Sequence, residues 1–109
     1  MTNPLKGEMM IKLGDQEYKS RLTIDSIVKI EAALDKGILL IMQRLGETDI
    51  RITDLRIILL HALRGGGNDF SEKDVNQIIS DSGIVQACRA VAELLAATLV
   101  AEDDREQPS

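Results

Sequence analysis

The fold is decided by residues 51–67, which read RITDLRIILLHALRGGG. Thr53 is a favourable N-cap because its hydroxyl can accept a free amide of the first helical turn. Asp54 places negative charge at the positive end of the helix dipole, and the three glycines after Arg64 are a stop signal. Apolar residues cover most of the circumference in between, which is typical of a buried helix. The stretch therefore predicts a central helix over about 54–64.

Composition indicates one small globular domain with an aliphatic core. The chain has 109 residues, of which 44% are hydrophobic and only 2% aromatic. Pockets for flat ligands are usually lined with aromatic rings, so this composition disfavours a cofactor. The net charge is −5, and the acidic stretch 102–106 accounts for −3 of it. Because no basic face remains, we expect no nucleic-acid partner.

The sequence also predicts a cytoplasmic protein without a membrane span. The central helix is shorter than the roughly 20 apolar residues needed to cross a bilayer, and no signal peptide is found. Cys88 is the only cysteine, which excludes an internal disulfide and fits a reducing compartment.

Two alternating segments near the N-terminus predict a β-hairpin over about residues 7–23, after a loose arm at Met1–Lys6. Gly14-Asp15 suits a two-residue turn with glycine first. That turn places opposite charges across the strands, which favours it over a four-residue loop. The predicted pairs are Leu13 with Gln16, Lys12 with Glu17, Ile11 with Tyr18, Met9 with Ser20 and Glu8 with Arg21.

A first helix is predicted over about 24–36, capped by Thr23 and ended by Gly37. Its buried stripe is formed by Ile24, Ile27, Ile30 and Leu34. Glu31 falls inside that stripe. It is either a rim carboxylate paired with Arg44, Arg51 or Arg56, which we favour, or a catalytic acid.

A second helix is predicted over about 38–46. Ile38, Ile41, Met42 and Leu45 form its buried side, and Leu39 and Leu40 are surplus to it. A small aliphatic core needs their area, so we favour the core as their location. The alternative is that they belong to a protein-binding surface.

The glycines at 65–67 suggest a flexible link and not a phosphate loop, because no lysine–serine pair follows them. Ser71 and Asp74 then predict a capped helix over about 72–82, which lacks the ligands of a calcium loop. The last helix is predicted over about 84–101, followed by a disordered acidic tail at 102–109. Val100 falls on its otherwise polar side and suggests contact with a partner.

No set of residues typical of an enzyme or a metal centre is found. His61 is the only histidine, so a zinc site lacks ligands. Cys88 lies in the middle of an apolar stripe, where cysteine usually packs as a small hydrophobe. Glu31 with His61 is the one catalytic pair that could be suggested. We therefore expect no catalytic, cofactor or metal site.

The expected fold is α+β and mostly α, with an N-terminal β-hairpin packed on a small bundle of about five helices in one domain, residues 1–101. The order of its motifs resembles the small gene transfer agent family of phage tail proteins, which is grouped with tail assembly chaperones. The resemblance is carried by NPLKGE at 3–8, RLTID at 21–25, IEAAL at 30–34, ITDLR at 52–56 and ALR at 62–64.

The resemblance implies a non-enzymatic tail assembly factor of a phage, a prophage or a gene transfer agent. Its expected role is that of a chaperone for the tape-measure protein in the host cytoplasm, with Leu39, Leu40 and Val100 as candidate protein-binding residues. Two alternatives are a structural tail component retained in the particle, as a tube-associated or connector subunit, and a small helical regulatory or dimerisation module. A homo-oligomer is compatible with each of these roles.

Overall fold

The computed structural model describes the backbone of residues 8–106 and the side chains of residues 8–100. Strands β1 (Glu8–Leu13) and β2 (Gln16–Arg21) come first. The helices that follow are α1 (Ile24–Leu34), α2 (Ile38–Gly46), α3 (Ile52–Gly65), α4 (Glu72–Ser82) and α5 (Ile84–Glu106). The fold is therefore α+β and mostly α, as predicted. The arm at Met1–Lys6 and the end of the tail at 107–109 lie outside the described residues.

The hairpin has the predicted register. Its strands are antiparallel, and all five predicted pairs are found, from Leu13 with Gln16 at the turn to Glu8 with Arg21 at the far end. Gly14 has a φ of 66°, a conformation that glycine adopts without steric cost. The side chains of Ile11 and Leu13 are buried on the face that lies on the helices.

Helix α3 is the centre of the core, as predicted. Its fully buried side chains are Leu55, Ile58, Leu59, Ala62 and Leu63. It packs against β2 and against α1, α4 and α5. Four of the six other elements therefore pack around α3, and the core is almost entirely aliphatic.

The start of α3 differs from the prediction. The helix begins at Ile52 with Arg51 as N-cap, so the predicted cap at Thr53 is wrong. Arg51 donates through Nε and Nη2 to the two carboxylate oxygens of the buried Asp54, each at 3.0 Å. No side-chain cap hydrogen bond is found at this helix start within the described residues, and the pair instead links the N-cap residue to the first turn.

The caps of α1 and α4 are confirmed. The Thr23 hydroxyl accepts from the Ser26 amide at 3.1 Å. Ser71 and Asp74 form a complete capping box, with side-chain and backbone groups bonded in both directions. The Ser71 backbone amide donates to the Asp74 carboxylate. This bond, together with a hydrogen bond from the Ser71 hydroxyl, holds the pKa of the exposed Asp74 carboxyl below its usual value.

Helix α5 continues to Glu106, beyond its predicted end at residue 101. The residues at 102–106 are thus helical where disorder was predicted. The physical reason is that neither glycine nor proline occurs between Ile84 and Pro108, so no residue ends the helix earlier.

Gly65, the last residue of α3, and Gly66 cover the outer edge of β2 and do not form the flexible link that was predicted. A Cβ atom on Gly65 would overlap the carbonyl oxygen of Arg21, and one on Gly66 would overlap that of Lys19. Asn68 then donates through Nδ2 to the Lys19 carbonyl at 2.8 Å. Residues without side chains are needed here because the backbone after α3 lies directly against a strand.

The two aromatic residues of the chain contact each other beside this edge. The ring of Tyr18 on β2 meets that of Phe70 edge-to-face, with centroids 5.8 Å apart and an angle of 79° between the planes. This is a favourable geometry for an aromatic pair. It fastens the hairpin to the segment that leads into α4.

Candidate protein-interaction site

Leu39 and Leu40 lie on the surface, so their expected place in the core is wrong. Leu39 is 75% exposed and Leu40 is 39% exposed, whereas Ile41 and Leu45 of the same helix are buried. Two buried residues in nine are enough to anchor so short a helix on α5, and the remaining leucines face water. Their role as protein-binding residues, the alternative of the sequence analysis, stays a prediction.

Glu31 fixes the direction of the helix that carries these leucines. Its Oε2 atom accepts a hydrogen bond from the backbone amide of Ile38, at 2.8 Å, across the turn between α1 and α2. An N-terminal amide of α2 that would otherwise lack a partner is thereby satisfied. The expected arginine pair is therefore wrong, and the carboxylate acts as a cap supplied by the preceding helix.

The three arginines considered as partners of Glu31 are placed elsewhere. Arg44 pairs with Asp49 at 2.7 Å, and Arg51 pairs with Asp54. Both ion pairs line a pocket of about 370 Å³ between the end of α1 and the start of α3. Arg56 is half-buried, and its Nε atom makes no hydrogen bond within the described residues.

Val100 also lies on the surface, where it is 59% exposed near the end of the described side chains. Helix α2 packs against α5. The candidate residues Leu39, Leu40 and Val100 are therefore carried by two neighbouring helices.

Helix α1 exposes a second apolar pair that the sequence analysis missed. Ile24 and Val28 are both largely exposed, although Ile24 was placed in the buried stripe. The two residues are four positions apart, so they share one face of the helix. That spacing could have identified them, but the stripe through Ile27 and Ile30 obscured it.

A groove of about 670 Å³ runs between β1 and the first three turns of α5. Its walls include Met10, which is 53% exposed, and Val85, which is 57% exposed. Gln86 crosses it and donates through Nε2 to the Lys12 carbonyl at 3.1 Å. The groove borders the edge of β1 that faces away from β2.

Burial shifts the pKa values of both His61 and Cys88. Cys88 is buried in the core, as predicted, and burial raises the pKa of its thiol. Burial also lowers the pKa of His61, helped by the nearby positive charges of Lys29 and Arg64. In the described part of the chain, neither a hydrogen bond nor an ion pair joins His61 to Glu31.

The described residues contain no cluster of three or more metal-ligating side chains. Within that same range, no single helix is long and apolar enough to cross a membrane. Helices α4 and α5 pass the length and composition test only when counted together across a bend of 112°.

Comparison with known proteins gives a family that spans nearly the whole chain. A family model described as "Phage tail tube protein, GTA-gp10" matches residues 6–101, from just before β1 into α5. No curated protein and no solved structure shows a significant match. The matched range includes the hairpin, the edge-covering glycines and the candidate residues on α2 and α5.

Proposed function

The chain belongs to this GTA-gp10 family of phage tail tube proteins, and from that membership we propose that it is a structural tail component retained in the finished particle. Its partners are other phage tail proteins. The family match over residues 6–101 is the observation that carries the proposal. A tube-associated or connector subunit is the specific role that we infer.

The surface of the helices supports a role in holding other chains. Leu39 stands almost free in solvent on a helix whose direction is fixed by the Glu31 cap. Because the main chain of this helix is already ordered, only the Leu39 side chain has to be ordered when a partner covers it. We therefore propose Leu39, Leu40 and Val100 as subunit-contact residues.

We also propose that the role involves no catalysis, cofactor or metal ion. The reactive residues singled out by the sequence have other environments: Glu31 caps α2, and Cys88 lies in the core with a raised thiol pKa. Assays of the purified protein for catalytic activity are expected to show no conversion of substrate.

Quantitative mass spectrometry of purified particles tests the structural role. Retention at a fixed ratio to the major tail protein is expected. The change L39K/L40K should reduce that ratio, because two charges would be placed where a partner packs. Ala33→Lys, at an exposed position of α1, is the matched control and should be incorporated normally. Absence of the wild-type chain from intact particles would contradict the proposal.

A tape-measure chaperone is the second candidate, and the exposure of Leu39 and Leu40 is the observation that favours it. Exposed leucines on a fixed helix could cover the apolar stripe of another helix. Co-expression with the tape-measure protein of the same gene cluster tests this role. Increased solubility of that protein, combined with loss of the chain from mature particles, would favour the chaperone.

A further inference from the structure

The outer edge of β1 carries backbone groups that point away from β2. In an antiparallel pair, alternate residues bond to the partner strand and the others face outward. Closing the two-residue turn at Leu13 and Gln16 makes Glu8, Met10 and Lys12 the outward-facing residues of β1. The Lys12 carbonyl confirms this direction because it accepts from Gln86 on α5. We call these three residues the open edge.

The centre of the open edge is unoccupied within the described residues. Neither the amide nor the carbonyl of Met10 makes a hydrogen bond there, and its side chain is exposed. Unpaired strand edges readily accept another strand. Ile84 and Val85 supply exposed apolar surface on the wall of the adjoining groove. The edge thus offers both backbone hydrogen bonds and apolar area to a strand.

The charges of the open edge are complementary to a copy of itself. Residues 8, 10 and 12 are glutamate, methionine and lysine. If two such strands run antiparallel with Met10 facing Met10, each Glu8 lies opposite Lys12 of the other copy. We propose that β1 pairs in this way with β1 of a second copy of this chain, joining two hairpins into one four-stranded sheet.

Other registers are disfavoured by the same three side chains. Parallel pairing would place Glu8 against Glu8 and Lys12 against Lys12. An antiparallel register centred on Met9 or Ile11 would place Met10 against a charge. Within one strand, Glu8 and Lys12 are about 13 Å apart along the chain, so they do not neutralise each other in the monomer.

Two contacts at the open edge have to accommodate the second copy. Glu8 meets Lys19 of its own hairpin at 3.9 Å and its side chain is only 12% exposed, so it pairs with Lys12 of the second copy by turning away from Lys19. The Lys12 carbonyl has a second lone pair beside the Gln86 bond. The resulting two-fold interface is closed, so it gives a dimer and not a filament. This inference does not rest on the proposed tail function.

Sedimentation velocity over a range of concentrations tests the dimer with the full chain. Met10→Pro removes the central outward amide, which β2 does not use, and should leave the protein monomeric. Met10→Thr retains the amide and should still dimerise. Circular dichroism and thermal melts establish that each variant is folded.

Charge reversal gives an independent test that does not depend on proline. Glu8→Lys alone and Lys12→Glu alone each create two like-charge pairs across the two-fold axis. Each is expected to raise the dimer dissociation constant roughly tenfold. The double variant E8K/K12E restores both opposite-charge pairs and should recover dimerisation.

Three results would overturn the proposal. The first is a wild-type chain that is monomeric throughout the soluble range. The second is an oligomer that survives Met10→Pro unchanged. The third is a double charge variant that dissociates as readily as the single variants, since only the pairing of residue 8 with residue 12 of the other copy predicts recovery.

Discussion

The two edges of the hairpin are treated in opposite ways by the rest of the molecule. The edge of β2 at Lys19 and Arg21 is covered by backbone, because Gly65 and Gly66 approach it too closely for any side chain. The open edge of β1 is contacted by Gln86 at one end and otherwise borders a groove. A two-stranded sheet is marginal on its own, so covering one edge stabilises the hairpin while the other stays available for assembly.

The largest effect should come from the helix that supports the covered edge. Leu59→Ala deletes a fully buried side chain of α3 and should lower the free energy of unfolding by about 2–5 kcal/mol. Urea denaturation followed by circular dichroism measures it. A loss below about 1 kcal/mol would show that α3 is not the centre of the core.

A methyl group at the covered edge should come next. Gly66→Ala forces the Lys19 carbonyl or the segment after α3 to move, at a cost of about 1–3 kcal/mol in unfolding free energy. Gly46→Ala is the control, since nothing lies within 4 Å of a Cβ atom there. It should be neutral or stabilising by up to about 1 kcal/mol. Equal losses for both variants would contradict close packing at Gly66.

The side-chain amides at the two edges should differ more modestly. Asn68→Ala removes hydrogen bonds to the Lys19 and Leu63 carbonyls, at 2.8 and 3.0 Å, and should lower the unfolding free energy by about 1–2 kcal/mol. Gln86→Ala removes one bond at the open edge and should cost less than about 1 kcal/mol. Chemical denaturation of both variants side by side gives the comparison. A larger loss for Gln86→Ala would mean that the open edge depends on α5 for its stability.

The smallest expected effect is a dependence of folding stability on pH, which arises from His61 of α3. The pKa of His61 is lower in the folded protein than its ordinary value of 6.5, so the unfolded chain binds a proton more readily. The contribution of His61 to the free energy of unfolding is therefore fully present above pH 6.5. It is lost as the pH falls through 6.5 towards the folded pKa. His61→Gln should flatten this part of the profile. An unchanged slope between about pH 7.5 and 5.5 would show that His61 is not its source.

The turn and the register of the hairpin could be predicted from the sequence because their determinants are local. Gly14 fixes the turn, and the opposite charges of Lys12 and Glu17 distinguish the two-residue loop from a longer one. The caps at Thr23 and Ser71 could be predicted equally well, because each hydrogen bond joins residues three positions apart. The burial of α3 followed from the apolar residues that cover most of its circumference.

The covered edge and the exposure of Leu39 and Leu40 depend on contacts between residues far apart in the sequence. Gly66 lies against Lys19, 47 positions earlier in the chain. Because the sequence does not show this contact, the glycines were predicted to form a flexible link. Glu31 accepts a hydrogen bond from a backbone amide, whereas an arginine partner was predicted from the sequence. The demand for core volume placed Leu39 and Leu40 inside, although the alanines of α5 allow close packing without them.

The contact between Tyr18 and Phe70 gives this chain a built-in optical probe. It has no tryptophan and a single tyrosine, so excitation beyond the phenylalanine absorption band gives fluorescence from one ring on β2. Detachment of the hairpin from the segment before α4 would change the emission of that ring, while fraying at the far end of α5 would be silent. Stopped-flow recordings without any label would thus follow the docking of the hairpin alone, separately from helix formation seen by circular dichroism.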